Sequence, residues 1–260
     1  MIQYLELKEK SREYEIPLST IERDYAQNWI LKYLSEIDMA LKGGTGIKKV
    51  YINDYRFSDD LDFTLISPLD KESLNMKINT AVRLAKKESN IDFHEESLNL
   101  IENTNGFECS IYFKILNRSR ARLRIKIDIT GFGKEVVLLP ILKRSITHTY
   151  SDNLESIVRV YALEEIFAEK IRTLFDRTRP RDLYDVWALK SAVDLVVSGG
   201  IIKDKFFNKK VDIDFINLVG RKKDFEVSWD NSLVHQLKEL PDFNLVFLEV
   251  MNFLESFFRQ

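Results

Sequence analysis

The segment RSRARLRIKIDIT, residues 118–130, sorts its side chains by parity: Arg118, Arg120, Arg122, Arg124, Lys126 and Asp128 alternate with Ala121, Leu123, Ile125, Ile127 and Ile129. Successive side chains on a strand point to opposite faces. The segment therefore predicts a strand with one face in a core and the other basic, ending in an acid. That basic row is either an edge strand guarded against aggregation or a track for a polyanion backbone.

Other segments place strands and helices around it. LSTIERDYAQNWILKYLSEID carries Ile21, Tyr25, Trp29 and Tyr33 at steps of four, with Ser19 and Glu22 at capping-box spacing, which predicts an amphipathic helix. MALKGG reads as a short strand stopped by Gly43 and Gly44, SDDLDFTLI as a strand entering a core, residues 70–88 as a helix, and CSIYFKIL as a strand that pairs with the arginine-rich one. From about Ala162 the pattern turns helical, through LEEIFAEKIRTLF, RDLYDVWALKSAVDLV and FNLVFLEVMNFLESFF, with a turn expected at Gly199 and Gly200. The order predicts a mixed α/β (α+β) first half, residues 1–150, and a mainly helical second half, residues 151–260.

LKGGTGIKKVYINDYRFSDDLDF, residues 41–63, holds the first chemical signal. Only nine glycines occur in 260 residues, yet two stand side by side here, and the segment closes on Asp60 and Asp62. On a strand those carboxylates share a face with Ser58, while Leu61 and Phe63 point into the core. Adjacent acids repel unless a cation lies between them, so the pair is either a solvated strand end or a divalent-metal site. Gly43, Gly44 and Thr45 offer bare backbone N–H groups and a hydroxyl, a surface that a phosphate can approach. Asp128 supplies a third carboxylate on the polar face of a strand that can lie beside the first. Two-metal phosphoryl transfer uses such a set.

A second signal lies in LEEIFAEKIRTLF. Leu163, Ile166, Phe167, Ile171 and Leu174 form an apolar stripe, and Lys170 falls inside it. Either its alkyl stem packs while the ammonium reaches water, or Lys170 and Arg177 form a paired positive site for a triphosphate. Asp182 reads as an N-cap for the helix beginning near Pro180. Asp185, one turn on, either extends that cap or faces Lys170.

Composition limits the alternatives. The 39 basic and 41 acidic residues balance, and 45% hydrophobic residues can build a sizeable core. One cysteine and three histidines disfavour a zinc site, so a metal held by carboxylates is expected to be Mg²⁺ or Mn²⁺. No run reaches the ~18 apolar residues of a membrane span, and the charged N-terminus does not resemble a signal peptide. A cytoplasmic protein without membrane association is the expectation.

Together, GGT, RFSDDLDF, AEKIRTLFDR and RDLYDVW, with IERDYAQNWIL near the start, resemble the AbiEii/AbiGii nucleotidyltransferase toxins, including the MenT group. The likeness runs from about Ser19 to Leu189, with Ile171 and Thr173 where leucine and alanine are usual. It implies a DNA polymerase β-like nucleotidyltransferase core, a helical C-terminal domain contributing its Lys and Asp motifs to a cleft, and transfer of a nucleotide from an NTP to RNA. In that family the acceptor is the 3′ end of tRNA, and a cognate antitoxin protein and phage defence are implied with it. Residue by residue, Gly44 and Thr45 would cradle the triphosphate, Asp60 and Asp62 would hold Mg²⁺, and Lys170, Arg177, Asp182 and Asp185 match the later motifs. Asp128 as a metal or catalytic acid, and Arg118, Arg120, Arg122 and Arg124 as an RNA track, come from strand geometry. Transfer to a small hydroxylated molecule such as an aminoglycoside, or a non-catalytic RNA- or partner-binding module of the same fold, are the alternatives.

Overall fold

The computed structural model describes residues 2–115 and 122–259. The chain divides into two compact units, one of residues 1–135 and 141–161 and the other of residues 136–140 and 162–260. The break thus lies at Tyr161 rather than near residue 150, because the one strand between those positions, Ile157–Val160, still pairs with the sheet.

The first unit begins with helices α1 (Tyr4–Glu13) and α2 (Leu18–Leu34), followed by strand β1 (Met39–Lys42). A single helical turn α3 (Gly43–Gly46) and a wider π-helical turn (Ile47–Tyr51) lead to β2 (Asp60–Leu65). Next come α4 (Lys71–Ser89), β3 (Asp92–Phe93), β4 (Ile101–Asn103), β5 (Gly106–Lys114), β6 (Leu123–Thr130), β7 (Leu142–Ser145) and β8 (Ile157–Val160). The strands form one mixed sheet in the order β3-β5-β6-β2-β1-β8-β7, with β4 added to β5. β2 runs parallel to β6 and antiparallel to β1.

The predicted alternation holds along β6. Ile125, Ile127 and Ile129 are buried, whereas Arg124, Lys126 and Asp128 lie on the opposite, partly exposed face. Arg118 and Arg120 fall outside the described residues. β5 alternates in step, with Phe107, Cys109, Ile111 and Phe113 in the core. Helices α2 and α4 contribute Ile21, Tyr25, Ile30, Leu31, Leu74, Ile78 and Val82 to the same core. Helix α2 starts at Leu18 behind Pro17 and has no side-chain cap, so the Ser19/Glu22 capping box is not used. Helix α4 does cap, with Asp70 accepting from the Ser73 N–H at 2.8 Å.

The second unit contains α5 (Leu163–Asp176), α6 (Pro180–Leu189), α7 (Leu195–Lys209), α8 (Phe215–Gly220), α9 (Lys222–Leu233) and α10 (Phe243–Arg259). Gly199 and Gly200 lie within α7. The expected turn is therefore absent, and the helix begins instead where Asp194 accepts from the Val196 and Val197 N–H groups. Phe175 packs edge-on against Phe206, Phe215 and Phe258 at centroid distances of 5.4, 5.3 and 5.8 Å.

Residues 136–140 belong to this unit through a buried charge pair. Glu165 accepts from the Leu138 and Leu139 N–H groups at 3.0 and 2.7 Å and is ion-paired with Lys205. Lys205 also donates to the Val136 carbonyl at 2.8 Å. Burial alone would lower the Lys205 ammonium, but Glu169 and Glu165 outweigh that and raise it. Among the described residues no helix is long and apolar enough to cross a membrane.

Ile127 is fully buried at the centre of β6. Ile127→Ala should cost about 2–5 kcal/mol, the usual range for emptying a core site of this size, read as a lower midpoint in urea unfolding with an unchanged slope. A variant as stable as the parent would contradict the assigned core face.

Candidate active site

Strand register assembles the acids. Asp62 lies opposite Asp128, and Asp60 opposite Lys126, across the parallel β2–β6 pair. Neighbours in register share a face of a sheet, so Asp60, Asp62 and Asp128 stand on one polar surface. The row extends further, with Lys42 opposite Asp62 on β1 and Glu108 opposite Asp128 on β5. Lys126 binds Asp128 at 2.8 Å and Glu108 at 3.5 Å. The hydrogen bond to Asp128 is the main reason its ammonium value is raised, with the charges of Asp128, Glu108 and Asp60 adding to it. Lys42 donates to the Thr130 hydroxyl at 3.1 Å and lies 3.5 Å from Glu135.

The glycine pair has a structural reason. Gly43 has φ +68°, a left-handed conformation that side chains resist, and a Cβ there would lie 2.5 Å from Asp62 Oδ2. A Cβ on Gly44 would lie 2.8 Å from Arg56 Nη2 and 3.2 Å from Ser58 Oγ. The loop is bare so that an acid and a guanidinium can lie against it. Thr45 is buried and its hydroxyl donates to the Asp60 carbonyl. In this structure that hydroxyl ties the loop to β2 rather than facing outward as a phosphate ligand.

Among the described residues no three Asp, Glu, His or Cys side chains converge as a ready-made metal cage. Mg²⁺ commonly takes one or two carboxylates and completes its shell with water and substrate phosphates. Asp60 and Asp62 beside a loop without side chains fit that kind of site.

The second unit carries the other predicted residues, in a cluster of its own. Lys170 does not run out to solvent. Its ammonium lies 2.7 Å from Asp182 Oδ1 and 2.7 Å from Asp185 Oδ2, and Arg177 Nε donates to Asp182 Oδ2 at 2.9 Å. Asp182 is not the N-cap: Arg179 occupies that position ahead of Pro180, and the Asp182 carboxylate is committed to the two cations. Helix α5 ends at Asp176, and the extended backbone of Arg177 turns its guanidinium toward α6. Burial on its own would raise the Asp182 carboxyl, but the charges of Lys170 and Arg177, with their hydrogen bonds, hold it well below the usual carboxylate range.

The sequence profile described as "Nucleotidyl transferase AbiEii toxin, Type IV TA system" matches residues 29–249. The chain belongs to the AbiEii nucleotidyltransferase toxin family. Comparison with curated proteins gives no match. Among solved structures, the nucleotidyltransferase toxin MenT4 from Mycobacterium tuberculosis superposes with a TM-score of 0.56 at 19% identity, covering 78% of this chain and 69% of its own. JHP933 from Helicobacter pylori gives a TM-score of 0.54 at 18% identity, with 93% of each chain covered. At such identities the likeness is one of fold.

In this AbiEii-family toxin, sequence reading passed over four polar residues beside the acids. Lys42 immediately precedes the glycines, and strand parity sets it on the acid face once β1 pairs with β2. Glu108 has the same parity logic on β5. Arg56 gave no sequence signal beyond lying in RFSDDLDF. Gln27 gave none, because in the amphipathic helix read from the sequence it falls opposite the Ile21–Tyr25–Trp29 stripe, on the face expected to meet solvent.

Two measurements test this geometry. Gly43→Ala should destabilise by about 1–2 kcal/mol through left-handed strain, and less so in an Asp62→Ala background, where the carboxylate it meets is gone. A double-mutant cycle with no coupling would contradict the contact. Asp182→Asn should cost about 1–3 kcal/mol near neutral pH, because it removes the carboxylate shared by Lys170 and Arg177 and leaves Lys170 with Asp185 alone. The Asp182 carboxyl has a folded value below its ordinary 3.8, so its contribution is complete above that value and is lost as pH falls toward the folded one. Acid unfolding curves of the parent should show this loss, and those of Asp182→Asn should lack it.

Proposed function

We propose that this toxin transfers a nucleotide from an NTP onto RNA, with the 3′ end of tRNA as acceptor, on the polar sheet face carrying Asp60, Asp62 and Asp128. The observation carrying the proposal is the register that sets Asp62 opposite Asp128 on the face shared with Asp60. Three carboxylates on adjoining strands, with a side-chain-free loop against one of them, match the needs of phosphoryl-transfer chemistry.

Asp60 and Asp62 are the residues that would hold Mg²⁺ or Mn²⁺, which when bound neutralises phosphate charge. Gly43 and Gly44 leave backbone open to the triphosphate, and Ser58 Oγ lies beside that loop. Asp128 is assigned to accept the proton of the attacking hydroxyl. Its ion pair with Lys126 at 2.8 Å orients it for that role. On the motif they match, Lys170 and Arg177 are assigned to bind phosphate, with Asp182 and Asp185 orienting them. Arg122 and Arg124, exposed at the start of β6, with Arg118 and Arg120 before them, are assigned to the RNA backbone. A type IV toxin implies an antitoxin partner, and tRNA as substrate places the reaction in the cytoplasm.

Incubation with each labelled NTP, total RNA and Mg²⁺ should label the tRNA band. Asp60→Ala should reduce transfer on the order of 10³-fold, since several kcal/mol of charge stabilisation is removed, while leaving the melting temperature near that of the parent. Binding of RNA without transfer from any NTP would favour the non-catalytic module instead.

A further inference from the structure

On the reading proposed above, transfer depends on where the backbone leading into Asp60 and Asp62 is held, and the structure assigns that placement to Gln27. Gln27 lies on α2 and is fully buried. Its Nε2 donates to two successive carbonyls, Ser58 at 2.9 Å and Asp59 at 3.1 Å. The Thr45 hydroxyl donates to the next one, that of Asp60. Three consecutive carbonyls at the entrance to β2 are thereby fixed from outside the strand.

The orientation of the Gln27 amide is dictated by these contacts. Both partners are acceptors, so a reversed carboxamide would set Oε1 against two carbonyl oxygens. The orientation that works leaves Oε1 buried with no hydrogen-bond partner among the described residues. A methionine or leucine of similar size would fill the space with no such cost. Packing alone therefore does not account for a glutamine here, whereas the need for a two-proton donor does.

One turn earlier on the same helix, Arg23 Nη1 lies 2.5 Å from Asp59 Oδ1, and its Nε donates to the Arg124 carbonyl at 3.0 Å. Helix α2 thus holds the segment entering β2 and the start of β6, the two strands that bear Asp60, Asp62 and Asp128. Supporting hydrogen bonds of this kind set the orientation of metal-binding carboxylates. Gln27 contacts the Ser58 and Asp59 carbonyls rather than a reacting atom and is a positioning residue.

The test compares the parent, Gln27→Met, Gln27→Glu and Asp60→Ala by Mn²⁺ dissociation constant without nucleotide, melting temperature, and kcat and KM for NTP. Gln27→Met should weaken Mn²⁺ binding about tenfold or more, in the range for altered supporting contacts, and lower kcat more than it changes KM. Gln27→Glu loses the donor when ionised and regains one proton when neutral, so its activity relative to the parent should rise as pH falls from 8 to 6. Should Gln27→Met fail to fold, that pH-dependent recovery in Gln27→Glu decides the matter, and a flat ratio overturns the proposal. Parent-like Mn²⁺ affinity and kcat in Gln27→Met, or deficits that follow only its melting temperature, overturn the positioning role while Asp60→Ala still loses Mn²⁺. A parent whose Mn²⁺ binding and transfer are absent, or equal to those of Asp60→Ala, overturns the site itself and this proposal with it.

Discussion

Crowding of like charge on one face of the sheet is the constraint around which the first unit is arranged. Parallel pairing of β2 with β6 brings Asp62 opposite Asp128, and antiparallel pairing with β5 adds Glu108 beside them. Carboxylates at such spacing repel one another. Lysines set into the same rows, Lys126 on β6 and Lys42 on β1, offset part of that repulsion. The Gly43–Gly44 loop accommodates the rest by steric means, since any side chain at Gly43 would displace the Asp62 carboxylate. A surface held together this way attracts cations, which is the property a nucleotide-handling site requires.

The second unit handles charge in the opposite manner, by burying and pairing it. Asp182 and Asp185 meet Lys170, and Arg177 closes on Asp182. Glu165 and Lys205 form a second pair that also satisfies backbone groups of residues 136–140. Buried pairs of this sort add little net stability compared with apolar packing, but each is costly to break. Their value lies in fixing which segments dock where. The same lysine that disturbs the apolar stripe of α5 organises the start of α6.

Likeness of fold to MenT4 and JHP933 at 19% and 18% identity shows how little sequence two chains need share to adopt a similar fold. Parity along the strands and apolar stripes along the helices can be met by many residues, because cores tolerate hydrophobic exchange when volume and pattern are kept. The Gly43 loop and the Asp60–Asp62 alternation have far less latitude. One depends on the absence of a side chain, and the other on charge at a fixed spacing.

Periodicity alone determined the alternation of β6, the shared face of Asp60 and Asp62, the helical second half and the inward direction of Lys170, since each follows from repeat geometry within one element. Whatever depended on partners distant in sequence was decided by tertiary structure. The Asp62–Asp128 register, the commitment of Asp182 to Lys170 and Arg177 rather than to a helix cap, and the passage of Gly199 and Gly200 through α7 are of this kind. So is the grip of Gln27 on the carbonyls before Asp60, across 31 positions of chain. A local pattern records which face of an element is apolar, but a hydrogen bond or ion pair between elements exists only once packing has brought its two ends together, and nothing in either local segment specifies the other.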